Sequence, residues 1–230
     1  MASNDEYEIA LIENENDARL CAKLLAEEFA SHNPLSTFHQ TTAEQSFDQW
    51  VWPFMIDAFN EKLSFFVRHR PTNEIIAAII ASDLYLYCKK HPYDASSPAT
   101  HDPIMNLISE MIDQFVHHDF DQELKPNMVL FIMAGATRSE HVCKGVGAQL
   151  RTYICNYARD TKGFQYAFVQ TSNPATRNIY IKKMNGKEMR VVDPATWLWK
   201  NDDDDDSSCP LKDYKDEPIV NILVNLTERK

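Results

Sequence analysis

The sequence predicts an α/β domain, and three observations carry that expectation. Short β-rich runs at residues 63–68, 75–84, 128–134 and 164–170 alternate with longer stretches whose apolar residues recur at helical spacing. The run Ile-Ile-Ala-Ala-Ile-Ile at 75–80 is apolar on both faces, which marks a central strand covered on both sides. Two glycines, Gly145 and Gly147, stand where a buried strand passes into a helix. Strands and helices interleaved in this order build a layered α/β fold. A chain of 230 residues, 44% of them hydrophobic, can bury a sizeable core without disulfides or metal.

The elements follow in order. Residues 7–12 alternate weakly and read as a first strand. Asn14 to Asn16 offer helix caps, and Leu20, Cys21, Leu24, Leu25 and Phe29 then trace a helical stripe. Ser31-His32-Asn33-Pro34 closes that helix. Thr42 and Gln45 have the spacing of a capping box for a second helix, which Pro53 breaks or kinks. Residues 63–68 and 75–84, separated by Arg70-Pro71-Thr72-Asn73, read as a hairpin. Residues 88–102, with Pro92 and Pro98, read as a long loop. Ile104, Leu107, Ile108, Met111, Ile112 and Phe115 form an amphipathic stripe, giving a helical insert over about 85–127. Residues 128–134 are a buried strand, a helix runs from about Ala148 to Asp160, a strand covers 164–170 and a helix 174–183. Residues 187–192 and 219–226 complete the strands. Five consecutive aspartates make 201–208 a flexible, solvated acidic loop.

A formal net charge of −11 argues against nucleic-acid binding and favours a cationic partner such as an amine. Five cysteines without a CxxC pair read as reduced thiols. The N-terminus lacks a signal-peptide apolar core, and no apolar run reaches the ~18–20 residues that span a membrane. The expectation is a soluble, cytoplasmic protein that binds neither membrane nor nucleic acid. Asp113 and His117 are spaced i, i+4, but a lone pair of this kind is the mark of a solvated helix face, and no metal is expected.

Lys144-Gly145-Val146-Gly147-Ala148 is the segment that carries chemistry. Glycines at a strand–helix junction let backbone approach a ligand closely. The first N–H groups of the helix then face that ligand, and with the helix dipole they favour a phosphate or pyrophosphate. A plain tight turn would also place glycines here. The spacing fits neither the Rossmann fingerprint nor the P-loop.

The order strand, Val142-Cys143-Lys144-Gly145-Val146-Gly147, helix, strand, Ser172-Asn173-Pro174, helix with Ile179-Tyr180 resembles the GNAT acetyltransferase superfamily over about residues 128–186. The resemblance implies the GNAT fold: a single domain over 1–230 with a mixed, mostly antiparallel central sheet flanked by helices. It also implies acetyl-CoA as co-substrate. The coenzyme would be held by Gly135, Ala136, Thr137, Val142, Cys143, Lys144, Gly145, Val146, Gly147, Ala148, Asn173 and Tyr180, with residues 133–137 splaying from the neighbouring strand to expose their backbone. Val142 stands where the family has Arg or Gln. Tyr180 takes the role of the family's tyrosine, which protonates the departing thiolate.

The periphery is similar to the arylalkylamine (dopamine-type) N-acetyltransferases of invertebrates, on Phe29 to Leu35, the helix at 104–115, Trp197 and Trp199 in a C-terminal aromatic strand, and the last strand. It implies a small primary amine as acceptor, attacking the thioester directly, and a monomer or homodimer. That family's catalytic Glu is Asn33 here, so Glu28 and His32 become the candidate bases, against the plainer account of a solvated helix face. His141 reads as a surface loop histidine. Phe38, Phe47, Trp50, Trp52 and Tyr85 are either walls of an acceptor pocket or core. Asn33 and Val142 also motivate two alternatives: a non-catalytic acyl-CoA-binding sensor, or a protein or peptide N-acetyltransferase with an open groove.

Overall fold

The computed structural model describes residues 6–94, 102–199 and 208–227. Seven strands form one sheet. They are β1 (Tyr7–Leu11), β2 (Phe65–His69), β3 (Glu74–Asp83), β4 (Val129–Thr137), β5 (Tyr166–Thr171), β6 (Lys187–Val192) and β7 (Ile219–Asn225), in the order β1-β2-β3-β4-β5-β7-β6. Every neighbouring pair is antiparallel except β4 and β5. The connection between those two is the helix α7 (Val146–Tyr157), the crossover that a parallel pair requires.

The alternation in β3 explains the two-sided core. Ala77 and Ile79 pack with Phe65, Val67, Val146, Leu150 and Ile154 under α7. Ala78 and Ile80 face the other way and pack with Ala22, Leu25 and Ala26 of α1 (Glu15–His32). A central strand with helices on both faces was the expectation for 75–80, and that is its position.

The first helices are set by their caps. Asn14 accepts from the Asp17 N–H at the start of α1. Asn33 has two tasks: it ends α1, its own N–H donating to the Phe29 carbonyl, and its side chain accepts from Ser36 N to begin the short α2 (Pro34–Phe38). Pro34 therefore opens a helix as well as closing one, because its missing N–H costs nothing at the first helical position. The expected capping box is present at α3 (Ala43–Ser46), with Thr42 and Gln45 bonded reciprocally. A wide turn at Phe47–Val51 then leads into α4 (Trp52–Phe59).

Four expectations need correction. Residues 84–90, read as strand end and loop, form α5 (Leu84–Lys90), because the Asp83 carboxylate caps it through Tyr85 N. Helix α7 starts at Val146 rather than Ala148, since Gly145 turns the chain at φ 85°. Trp197 and Trp199 form no strand: Trp197 follows a single turn at Pro194–Thr196, and Trp199 makes only an isolated bridge with Ser208. The helix expected over 174–183 is α8 (Pro174–Asn178) followed by a wider turn, Ile179–Lys183, which holds Tyr180. The amphipathic stripe at 104–115 is α6 (Pro103–Gln114). The acidic run at 202–206 lies outside the described residues.

Candidate active site

The site is made where two parallel strands part. β4 and β5 pair only from Val129↔Tyr166 to Ile132↔Val169. Beyond that point β4 stays bonded to β3, and β5 to β7. The backbone of residues 133–137 is thereby released on its β5 side, as the sequence led us to expect. The cause is visible in the register: Ile80 opposes Ala134 while Ala81 opposes Ile132, so Met133 is an extra residue with no partner on β3. A bulge of this kind bends and twists the strand that carries it.

A cavity of about 770 Å³ fills the opening. One end is backbone. It is lined by Gly135, Ala136 and Thr137 of β4 and by Val142, Cys143, Gly145, Val146, Gly147 and Ala148 around the start of α7. No side chain caps α7, so the N–H groups of its first turn are without an intrahelical acceptor. Cys143 and Gly145 both take positive φ, 67° and 85°, and this bends the loop around the cavity mouth. Gly147 is closely packed: a Cβ there would stand 3.0 Å from Thr137 Oγ1 and 3.1 Å from Arg151 Nη1, so those side chains would have to give way. Asn173 lines the cavity and caps α8 through Thr176 N. Among the expected coenzyme contacts, Lys144 alone does not line the cavity.

Tyr180 lies on the cavity wall and is fully buried, and its hydroxyl has no hydrogen-bond partner. Burial pushes its phenol well above the ordinary value, and the nearby Arg151 charge opposes that shift. Its place is fixed from behind by Gly186, whose N–H donates to the Tyr180 carbonyl at 2.8 Å. A Cβ on Gly186 would meet that carbonyl at 2.9 Å and Ile222 Cγ2 at 2.8 Å.

The other end of the cavity is apolar, walled by Phe29, Trp50, Phe54, Tyr87, Ile108 and Phe131. Of the five aromatic residues named as candidate walls, only Trp50 is among them. Phe38 packs edge-on against Tyr214, Phe47 and Trp52 stack on each other, and Lys89 covers Tyr85. The lining of this end was not legible because it is collected from α1, the Phe47–Val51 turn, α4, α5, α6 and β4, and only tertiary packing brings those together.

Glu28 and His32 both line the cavity, with Asn33. The Glu28 side chain is only 10% exposed. Burial raises its pKa, against the lowering effects of His32, 3.7 Å away, and Arg138, also at 3.7 Å. A carboxylate with raised affinity for a proton, facing a cavity, is suited to act as a base. Arg138 is held chiefly by Glu27, at 2.6 Å. His141 lines the cavity as well and is less of a bystander than expected. Its Nδ1 meets the Tyr7 hydroxyl at 3.1 Å, and burial, then Lys144 and His69, lower its pKa.

Asp113 and His117 pair at 3.0 Å, and among the described residues no group of three His, Cys, Asp or Glu side chains could hold a metal. No helix of the described residues is long and apolar enough to cross a membrane.

No protein-family model matches the sequence, and no curated protein matches it significantly. Solved structures do match the fold. The C-terminal condensation domain of Ebony, in complex with β-alanyl-dopamine, aligns with a TM-score of 0.75 at 13% identity, over 96% of this chain and 99% of that one. The polyamine N-acetyltransferase of Drosophila melanogaster, which forms N-acetylagmatine, aligns at 0.64 and 13% identity, over 95% and 100%. Arylalkylamine N-acetyltransferase 2 from Aedes aegypti aligns at 0.65 and 11% identity, over 96% and 99%. With the mixed seven-stranded sheet, the parted β4–β5 pair and the glycine turn into α7, the chain has the fold of the GNAT N-acetyltransferases.

Proposed function

We propose that the protein is an N-acetyltransferase that uses acetyl-CoA to acetylate a small primary amine with an apolar or aromatic body. One observation carries this reading: a single cavity joins a backbone-lined end at Gly145–Ala148 to an aromatic end, with Tyr180 and Glu28 on its walls. The neighbouring structures whose names refer to arylalkylamines, agmatine and β-alanyl-dopamine support the same class of acceptor. Enclosure by α4, α5 and α6 favours a small acceptor over a peptide groove.

The residues present suit coenzyme A. The uncapped first turn of α7 and the Gly145–Gly147 turn offer backbone donors to a pyrophosphate. The free backbone of residues 133–137 can pair with an extended pantetheine arm. The orphan Tyr180 hydroxyl awaits an acceptor on the cavity side. Acetyl-CoA supplies a thioester, an acyl group already activated toward an amine.

The chain's own groups do the rest. Trp50, Phe54, Tyr87 and Phe131 hold the apolar body and exclude water. Glu28 takes a proton from the ammonium form, directly or through water, leaving a free amine whose nitrogen forms the new N–C bond. Backbone N–H groups of β4 orient the acetyl carbonyl. As the C–S bond breaks, Tyr180 gives its phenolic proton to the sulfur; the second proton, released by the acylated nitrogen, returns through water to restore the phenol, and the proton held by Glu28 leaves to solvent. The high proton affinity of the buried Tyr180 keeps it protonated at neutral pH, the state a proton donor needs. The five cysteines are all free thiols and none is needed as a nucleophile, which also suits a reducing, cytoplasmic setting.

The test is release of coenzyme A thiol over a panel of phenethylamine-like amines, agmatine and short peptides. Turnover with the aromatic amines is expected. Tyr180→Phe should lower kcat on the order of 100-fold with little change in acetyl-CoA affinity. Activity on peptides alone would favour a protein acetyltransferase. Binding without turnover of any acceptor would favour a sensor.

A further inference from the structure

We propose that Arg151 is a positioning residue of this site, a buried cation whose charge faces the negative charge that forms when Tyr180 gives up its proton. The proposal rests on the acetyltransferase reading above.

Arg151 is 6% exposed and lies on the cavity wall beside Tyr180. It occupies the buried stripe of α7 with Val146, Leu150 and Ile154, where an apolar residue would be the ordinary choice. A guanidinium in such a place is normally matched by a carboxylate. Among the described residues Arg151 makes no ion pair with one. Its donors go instead to two carbonyls, Nη1 to Gly147 at 2.9 Å and Nη2 to Gly135 at 3.3 Å. Its Nε and the Tyr180 hydroxyl are both buried without a partner of good hydrogen-bond geometry, and Arg151 favours the tyrosinate form of Tyr180 by its charge and by side-chain hydrogen bonding. The guanidinium carbon stands 5.9 Å from the centre of the Tyr180 ring. One turn further along the helix the Cys155 thiol is no counterion, because burial keeps it protonated up to about 12.

A positive charge is therefore buried with no carboxylate paired to it among the described residues. The groups that surround it are those of the reaction: Gly135 on the freed strand, Gly147 on the phosphate turn, and the proton donor. A charge left unmatched at rest is matched when proton transfer to the sulfur leaves a tyrosinate, so its interaction is stronger in the transition state than before it. The hydrogen bond to Gly135 also ties α7 to β4, while the one to Gly147 is internal to α7 and holds the guanidinium in place.

The experiment is a double-mutant cycle. Arg151→Met keeps the packing volume and removes the charge, and Arg151→Lys keeps the charge. Each is made in the wild type and in Tyr180→Phe, and kcat, the KM for acetyl-CoA and the melting temperature are measured. Arg151→Met should lower kcat on the order of 10- to 100-fold in the wild type. In the Tyr180→Phe background, where no tyrosinate forms, it should lower kcat by less than about 3-fold, because residues that act as a unit are non-additive. Arg151→Lys should recover part of the loss. Equal losses in both backgrounds, an unchanged kcat in Arg151→Met, or no recovery by lysine in a folded variant would overturn the proposal. Absence of turnover in the wild type would instead bring down the acetyltransferase reading, and this inference with it.

Discussion

At the scale of single residues, the proposed mechanism depends on two ionisable groups that line the cavity, Tyr180 as proton donor and Glu28 as base. Tyr180 keeps its proton because a phenolate cannot be solvated there, and Glu28 binds one more readily because its carboxylate is largely buried. The sign of the pH effect follows. Glu28 works as a base only when ionised, and its pKa lies above the ordinary 4.5, so kcat/KM should fall as pH drops through that raised value. Glu28→Gln should lower kcat/KM on the order of 100-fold near neutral pH and remove that acid limb from the profile. An unchanged acid limb in the variant would assign the base elsewhere, with His32 the next group along the helix. The sequence singled out Tyr180 from its place after Asn173-Pro174 and Glu28 only as one of two candidates, and both line the cavity. Arg151 went unnoticed, though a signal existed: it is a charged residue at a buried position of an otherwise apolar stripe, four residues after Gly147. Periodicity counts apolar residues and passes over the exception.

At the scale of elements, the opening between β4 and β5 is produced by one extra residue, Met133, and framed by two turns. The Gly145 turn aims α7 at the cavity, and the Gly186 turn sets Tyr180. Gly186→Ala would press a methyl within 3 Å of Ile222 and of the Tyr180 carbonyl. The expected outcome is a stability loss of about 1–3 kcal/mol, read from urea unfolding, together with a fall in kcat. Wild-type kcat in that variant would mean that Tyr180 is not positioned by this turn. The buried strands and long helices could be read from the sequence because each carries its own period. The bulge could not, since Met133 is one apolar residue in an unbroken apolar run, and only its pairing with β3 distinguishes it. Helix α5 was missed for a related reason. Two turns, Leu84–Lys90, are too short to establish a period, and the informative residue was the single cap Asp83.

At the scale of the whole molecule, the proposed function has an acidic chain of net charge −11 bind a polyanionic coenzyme through backbone amides and a helix terminus. Affinity of that kind depends on geometry, so it tolerates Val142 and Cys143 in a loop where a basic residue would be unsurprising. It also leaves the protein's overall field free to attract a cationic amine. The fold class and the residues of the proposed coenzyme end could be named from the sequence because one contiguous segment, about 128–186, builds both. The acceptor end could not, because its walls come from six separate elements. The most direct measurement is calorimetric titration of acetyl-CoA into the wild type and into Gly147→Glu. The substitution puts bulk against Thr137 and Arg151 and a negative charge beside the pyrophosphate. One binding site in the wild type, weakened at least about 10-fold in Gly147→Glu, is the predicted result. Absence of binding in the wild type, or equal affinity in the variant, would contradict it.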